Sequence, residues 1–336
     1  MKKKSGFSKI MGVKGAGTVV TAFIGLVIIY VAFGILNPKV FSPLNIQNLL
    51  RSMSKYLLIG IGQSFVMITG NIDLSIGSVV GMSAMISATM MTKGMNPIVA
   101  ILFTVLAALL VGVVNGYLVG KFKLPPFIAT LGTMFICRGV AYIVNNNRNT
   151  DNIASGIGKE AGDAYQNFFY YGKTAGIFNT FWIALIIFLI FWFMIGKTRS
   201  GRHIYAIGSN VDAARLSGVD VVKTTTKAYV VSAFCSAVVG FILCAQAGMG
   251  NMDAGNMYEM YGVAAGVIGG VSPLGGSGIL LGTFAGAGVW QTLENGLNLI
   301  HAQVGFQRII IGVIVVGAVL LDVVVRSGNF SRKKKK

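Results

Sequence analysis

Side chains able to do covalent or metal chemistry are scarce in this chain. Its 336 residues include two histidines, three cysteines and ten carboxylates. His203 and His301 fall in separate polar stretches. That separation supports neither a Ser-His-Asp arrangement nor a two-histidine metal site. Cys137, Cys235 and Cys244 sit inside apolar runs with no CxxC spacing, which fits small core residues rather than zinc ligands. No paired-carboxylate motif of a membrane prenyl transferase is present. Gly172-Lys173-Thr174 looks like the end of a phosphate-binding loop, but Asn167 stands where that loop needs its first glycine. The chain is therefore expected to hold no nucleotide, cofactor or metal of its own.

The informative polar residues lie among apolar ones, where ionisable groups are costly and usually face a cavity. Asp73 belongs to Gly70-Asn71-Ile72-Asp73-Leu74-Ser75-Ile76-Gly77, a polar break between two apolar segments. It can cap the helix that follows, or the break can border a path for a polar solute. Arg138 lies within an apolar segment and needs a carboxylate or a helix C-terminus, with Asp73 as one candidate. Asp322 precedes Arg326 by four residues, the spacing of a local helical pair. A second break, Gly269-Gly270-Val271-Ser272-Pro273-Leu274-Gly275-Gly276, is also read as joining two short helices, as discontinuous transport helices do. The candidate path residues are Asn71, Asp73, Ser75, Arg138 and Ser272.

The elements that must position them are membrane helices. Charged residues make up 11% and mean hydropathy is +0.73, whereas a soluble domain carries about 25% charged residues. Ten apolar segments are expected at 19–36, 56–70, 74–92, 98–120, 124–144, 177–196, 228–248, 260–271, 277–292 and 306–325. Backbone in lipid must bond within its own segment, so these are helices and the fold class is all-α, polytopic. The first run is longer than a signal-peptide core, and no cleavage pattern follows it. The segments near 56–70 and 260–271 are short, which suggests discontinuous elements.

Net charge is +18, yet the basic residues do not form a nucleic-acid stripe. They cluster in the tails, 1–18 and 326–336, in the 197–227 loop, and at Lys121 and Lys123. An even number of crossings puts all of these on one side, which the positive-inside rule makes cytoplasmic. Residues 19–325 then form a single transmembrane domain of a multi-pass protein in a bacterial inner membrane, and the 145–176 loop is external. Several of the 45 glycines recur every four residues, as at Gly112, Gly116 and Gly120 or Gly262, Gly266 and Gly270. Such smooth faces let helix backbones approach closely.

The loop Lys197-Thr198-Arg199-Ser200-Gly201-Arg202-His203-Ile204-Tyr205-Ala206-Ile207-Gly208-Ser209-Asn210-Val211-Asp212-Ala213-Ala214-Arg215-Leu216-Ser217-Gly218-Val219 carries the strongest functional signal. Asn210 or Asp212 can cap a short helix bearing Ala213, Ala214, Arg215 and Leu216. Ser217 and Gly218 can end it. A short helix of small residues held at a membrane surface suits the groove of a soluble partner, or is simply a connector lying on the membrane.

This loop resembles the ATPase-coupling segment of ABC-importer permeases, in the form found in the ribose, xylose, arabinose and galactoside permease family. Three more stretches are similar to that family. They are Gly70 to Ser78, then Leu124-Pro125-Pro126-Phe127-Ile128-Ala129-Thr130-Leu131-Gly132-Thr133-Met134, and Val267 to Gly276. All four occur in the family's order. Asn71 and Pro125 depart from it, standing where many relatives have glycine and a small polar residue. The resemblance implies a permease subunit of a monosaccharide importer that does no chemistry on the sugar. It implies a cytoplasmic ABC ATPase holding the ATP and magnesium, an extracytoplasmic sugar-binding protein, and a second permease copy or paralogue. The competing reading is an ion-coupled secondary transporter of a small polar solute. That would need buried coupling carboxylates, and Asp73 is nearly alone in offering one.

Overall fold

The computed structural model describes residues 16–326. Helix α1 (Ala16–Leu36) leads through a 3-10 turn (Pro38–Phe41) to α2 (Pro43–Ile68), α3 (Ile76–Thr92), α4 (Pro97–Gly120) and α5 (Pro126–Ile143). Next come α6 (Ala154–Ile157), α7 (Lys159–Gln166), a π-helical turn (Asn167–Tyr171) and a hairpin of Lys173–Thr174 against Ile177–Phe178. The remaining helices are α8 (Asn179–Lys197), α9 (Arg199–Ser209), α10 (Val211–Leu216), α11 (Val221–Ala247), α12 (Tyr258–Ile268), α13 (Leu280–Leu299) and α14 (Val304–Arg326). Each of the ten expected apolar segments lies in its own helix among these. The lysines of the expected basic tails lie outside the described residues, as do the side chains on which the pairing of Asp322 with Arg326 would rest.

Helices α2, α3 and α11 form the centre, with Leu57, Phe65, Met85, Tyr229 and Phe241 fully or almost fully buried. Polar side chains lie inside with them: Ser54, Gln63, Ser64, Ser83, Ser87 and Ser236 are all buried. Large apolar side chains cover the outside instead, among them Leu102, Phe103 and Leu106 on α4, Phe135 and Ile136 on α5, and Ile186, Ile190 and Phe193 on α8. That distribution inverts the one water imposes and suits a hydrocarbon solvent. Among the described residues, α1, α4, α5, α8 and α11 are long and apolar enough to cross a membrane.

The glycine stripes serve close packing. A Cβ on Gly112 or Gly116 of α4 would overlap the backbone of α11 at Tyr229, Val230 or Thr226. Helix α12 has 11 residues. It therefore rises only about 16 Å, roughly half the hydrocarbon thickness.

Three expectations need correction. Helix α2 starts at Pro43, not near residue 56, and has 26 residues, so the first break does not join two short helices. Its polar first turns hide the helix from a hydropathy reading, but Ser42 caps it by accepting from the Asn45 N–H, and Pro43 sits at its first position. The 145–176 stretch is a folded layer rather than an open loop. Thr150 N–H and Ile153 N–H donate to the carbonyls of Gly250 and Gly248, and Tyr165 is buried, donating to the Phe241 carbonyl. Helix α11 begins at Val221, so the last residues of the 197–227 loop already belong to it. Its cap is Asp220, whose carboxyl is held below the usual range, first by the Lys223 N–H.

Candidate coupling and translocation site

The 197–219 stretch folds as two short helices at right order for a hinge. Thr198 caps α9 by accepting from the Gly201 N–H at 3.3 Å. Gly201, Ile204 and Ile207 face inward on α9, while Arg202 and His203 are exposed. Asn210 then breaks the chain and caps α10, accepting from the Ala213 N–H at 2.9 Å. Asp212 pairs with Arg215 on the surface at 3.2 Å. Ser217 N–H and Val219 N–H close the end on the carbonyls of Ala213 and Ala214, and Gly218 supplies the left-handed residue with φ of 81°. On α10, Ala214 is buried while Leu216 is 89% exposed. The short capped helix expected from the sequence is present, with an apolar side chain directed outward.

Helix α9 packs on both glycine-rich breaks. A Cβ on Gly208 would run into the Ile68 carbonyl and the Gly276 amide. Gly276 N–H itself donates to the Ile68 carbonyl at 2.9 Å. A Cβ on Gly275 would meet the Gly208 carbonyl and the Gly70 backbone, and one on Gly276 would overlap Ser209. Gly275 and Gly276 also have φ of 88° and 68°, which side chains rarely adopt. The Tyr205 hydroxyl adds a 2.7 Å bond to the Gly278 carbonyl. The end of α2, the second break and α9 thus meet backbone to backbone.

The first break is held by a buried network around Asp73, which is 2% exposed. Its Oδ1 accepts from the Ser75 N–H (2.9 Å) and hydroxyl (2.6 Å), and its Oδ2 accepts from the Ser232 hydroxyl of α11 (2.7 Å). Asn115 of α4 donates to Ser75 Oγ at 3.0 Å and accepts from the Thr133 hydroxyl of α5 at 2.8 Å. Thr130 Oγ1 accepts from the Leu74 N–H, and the Tyr229 hydroxyl donates to the Ile72 carbonyl. Asp73 is therefore not the cap residue of α3. Ser75 holds that position without a side-chain cap bond, and Asp73 turns the chain ahead of it.

Arg138 does not pair with Asp73. Its guanidinium donates to the carbonyls of Met252 (2.8 Å) and Ala254 (3.0 Å), with a long contact to Gly77 at 3.5 Å. Arg138 thus ties the 249–257 connection to the start of α3. Ser272 is buried in its own turn, where its hydroxyl accepts from the Leu274 N–H. Of the five candidate path residues, Asp73 and Ser75 are brought together, and both are taken up in packing. Asn71 lines a pocket. That pocket, of about 280 Å³, is bounded by Met67, Gly70, Asn71, Ile72, Pro125, Pro126, Phe127, Val263 and Pro273. The two positions that depart from the family pattern, Asn71 and Pro125, share its wall.

Sequence reasoning missed Asn115, Thr130, Thr133, Tyr229 and Ser232 as partners of the first break. Their only signal was a hydrogen-bonding side chain inside an apolar run, and many such residues serve their own helix backbone, as Ser87 does with Ser83. It also missed Gly208 as the contact between the loop and both breaks.

Comparison with known proteins gives one consistent result. Residues 45–319 match the family described as branched-chain amino acid transport system / permease component. The ribose import permease of Bacillus subtilis is 38% identical over 300 residues, covering 89% of this chain and 91% of that protein. The D-allose transport system permease of Escherichia coli K12 is 34% identical over 302 residues, covering 89% and 90%. The galactose/methyl galactoside import permease of Haemophilus influenzae is 33% identical over 310 residues, covering 89% and 90%. No solved structure matches the chain. A helical chain with a capped surface helix seated on two glycine-rich breaks, matched over most of its length by importer subunits, belongs to the permease-component family of branched-chain amino acid transport systems.

Proposed function

We propose that this chain is the membrane-spanning subunit through which an ATP-driven importer passes a monosaccharide into a bacterial cell. The observation that carries the reading is the seat of α9 on both breaks, through Gly208 against Ile68 and Gly276. A soluble ATPase that grips α10 can move α9, and α9 transmits that motion to α2 and to the α12–α13 break. The pocket beside Asn71 and Pro125 then opens or closes on the side of the 197–219 segment. Energy comes from the partner, since the chain itself offers only a path.

The family description names branched-chain amino acids, but the similar proteins that cover nine-tenths of the chain carry ribose, allose and galactose names. Sugar is therefore the favoured cargo. In this reading the ten apolar helices carry the chain through the inner membrane, α12 going only part of the way and the second break continuing it, with both termini and the 197–219 segment inside. A second permease copy or paralogue completes the path, and a sugar-binding protein docks outside. The ion-coupled alternative is weakened by Asp73, whose two oxygens are already engaged by three donors.

The test is uptake in vesicles holding the chain with its ATPase and binding protein. Radiolabelled D-ribose should enter only with ATP, and L-leucine should not enter. Leu216→Asp or Ala214→Asp should abolish uptake and release the ATPase, with the chain still in the membrane. Uptake driven by an ion gradient without ATP, or full transport by both variants, contradicts the reading.

A further inference from the structure

Lys55 on α2 and Glu294 on α13 are charged side chains set partway along their helices. Ionisable groups at such depth usually face a cavity or a partner. No ion pair joins these two among the described residues. Lys55 Nζ donates to Gln246 Oε1 at 3.3 Å, and Glu294 Oε2 accepts from the Tyr56 hydroxyl at 2.7 Å. A carboxylate can accept more than the one bond from Tyr56, and the Lys55 ammonium has donors to spare.

Four rings cluster at Tyr56, the partner of Glu294. Tyr56 lies 6.1 Å from Tyr258, 5.7 Å from Tyr261 and 6.3 Å from Trp290 between ring centres. Tyr261 lies 5.6 Å from Tyr258 and 5.0 Å from Trp290. Tyr56 and Trp290 are buried, whereas Tyr258, Tyr261, Lys55 and Glu294 are only half-buried. The cluster lies midway along α2, level with the C-terminal end of α11, where Lys55 bonds Gln246. Arg51, one turn away, sits over the rings of Tyr170 and Phe178, and the Tyr171 hydroxyl bonds the Gln246 carbonyl. This is the end covered by the 145–178 layer.

Two turns below Tyr56, on the same side of α2, Gln63 is fully buried, and neither polar atom of its amide has a partner among the described residues. It lies against Gly262, the residue after Tyr261. A buried amide without partners is rare in a settled core. One further turn down is Met67 on the wall of the pocket that holds Asn71. Polar groups therefore recur along the α2–α12 seam from the aromatic cluster to that pocket.

We propose that Lys55, Glu294, Tyr258 and Tyr261 form an outer acceptance site for a neutral monosaccharide, the first place where the sugar touches the membrane chain. A sugar ring has C–H faces and a rim of hydroxyls. The half-open tyrosine rings suit the faces, and a carboxylate and an ammonium suit the rim. A lipid tail has no use for either charge. The proposal rests on the sugar-import reading above.

Two measurements test it. The first is D-ribose uptake by the whole importer carrying Glu294→Gln or Tyr258→Leu, with membrane abundance measured in parallel. Glu294→Gln keeps an oxygen for the Tyr56 hydroxyl and so preserves the packing. Uptake should fall roughly tenfold at low sugar, the size of one lost charge-assisted hydrogen bond. The second uses the purified chain with Trp182→Phe and Trp192→Phe, which leaves Trp290 as its one tryptophan. D-ribose should change Trp290 emission saturably, and Glu294→Gln should shift the midpoint to higher sugar. If the unaltered importer moves D-ribose, yet both variants match it and Trp290 is silent, the site is wrong while the importer reading stands. If the unaltered importer moves L-leucine and no sugar, both fall. If a variant fails to reach the membrane, the Trp290 titration of Glu294→Gln decides alone.

Discussion

Asp73 illustrates how a single residue can be conspicuous in a sequence and still be misread. A carboxylate in an apolar stretch points to a partner, and the chemistry suggested a cap or an arginine. The partners are hydroxyls and an amide from Ser75 and Ser232, with Asn115 and Thr133 behind them. Which hydroxyl reaches a carboxylate depends on how α4, α5 and α11 pack, and residue type alone does not encode that. Removing the carboxylate strands three donors in the interior. Asp73→Ala should cost about 1–3 kcal/mol per stranded donor, seen as a lower unfolding midpoint in detergent and reduced membrane abundance. A variant as stable and abundant as the parent would show that the network contributes nothing. Arg138 gives the same lesson, since it satisfies backbone carbonyls rather than a charge. Carbonyls exist at every residue and leave no mark in the sequence.

At the scale of elements, capping chemistry was the most legible feature. Asn210, α10 and the Gly218 stop follow from local rules and appear where those rules put them. Asn210→Ala should lower the stability of α10 by about 1 kcal/mol. Faster amide exchange at Ala213 and Ala214, with the rest of the chain unchanged, is the expected readout, and unchanged exchange would show that the cap is idle. Apolar segments were equally legible, because hydropathy is summed over many residues. The start of α2 was not, since Asn45, Gln47, Asn48 and Arg51 dilute its first turns. These residues face the 3-10 turn, Asn295, Lys173 and the rings of the outer layer rather than lipid. The 145–176 layer was unreadable for a related reason. It owes its order to α11 and the connection after it, which lie far away in sequence.

For the whole molecule, the two ends of α2 carry different tasks. Its first half meets the outer layer at Arg51 and the aromatic cluster at Tyr56, and its last turn meets α9 and the second break. From Tyr56 to Ile68 the helix rises about 18 Å, so in the proposed reading the central helix links the side where sugar arrives to the side where force is applied. Direct backbone contact at Gly208 makes that link stiff, and stiffness is what coupling needs. The decisive measurement is the amount of D-ribose moved per ATP hydrolysed by the assembled importer carrying Gly208→Ala. The added methyl forces α9 away from Ile68 and Gly276 without touching α10, so the ATPase should still bind and turn over. Sugar moved per ATP should fall roughly tenfold, a loss of about 1.4 kcal/mol of coupling. An unchanged ratio in a fully assembled complex would mean that α9 does not drive the two breaks.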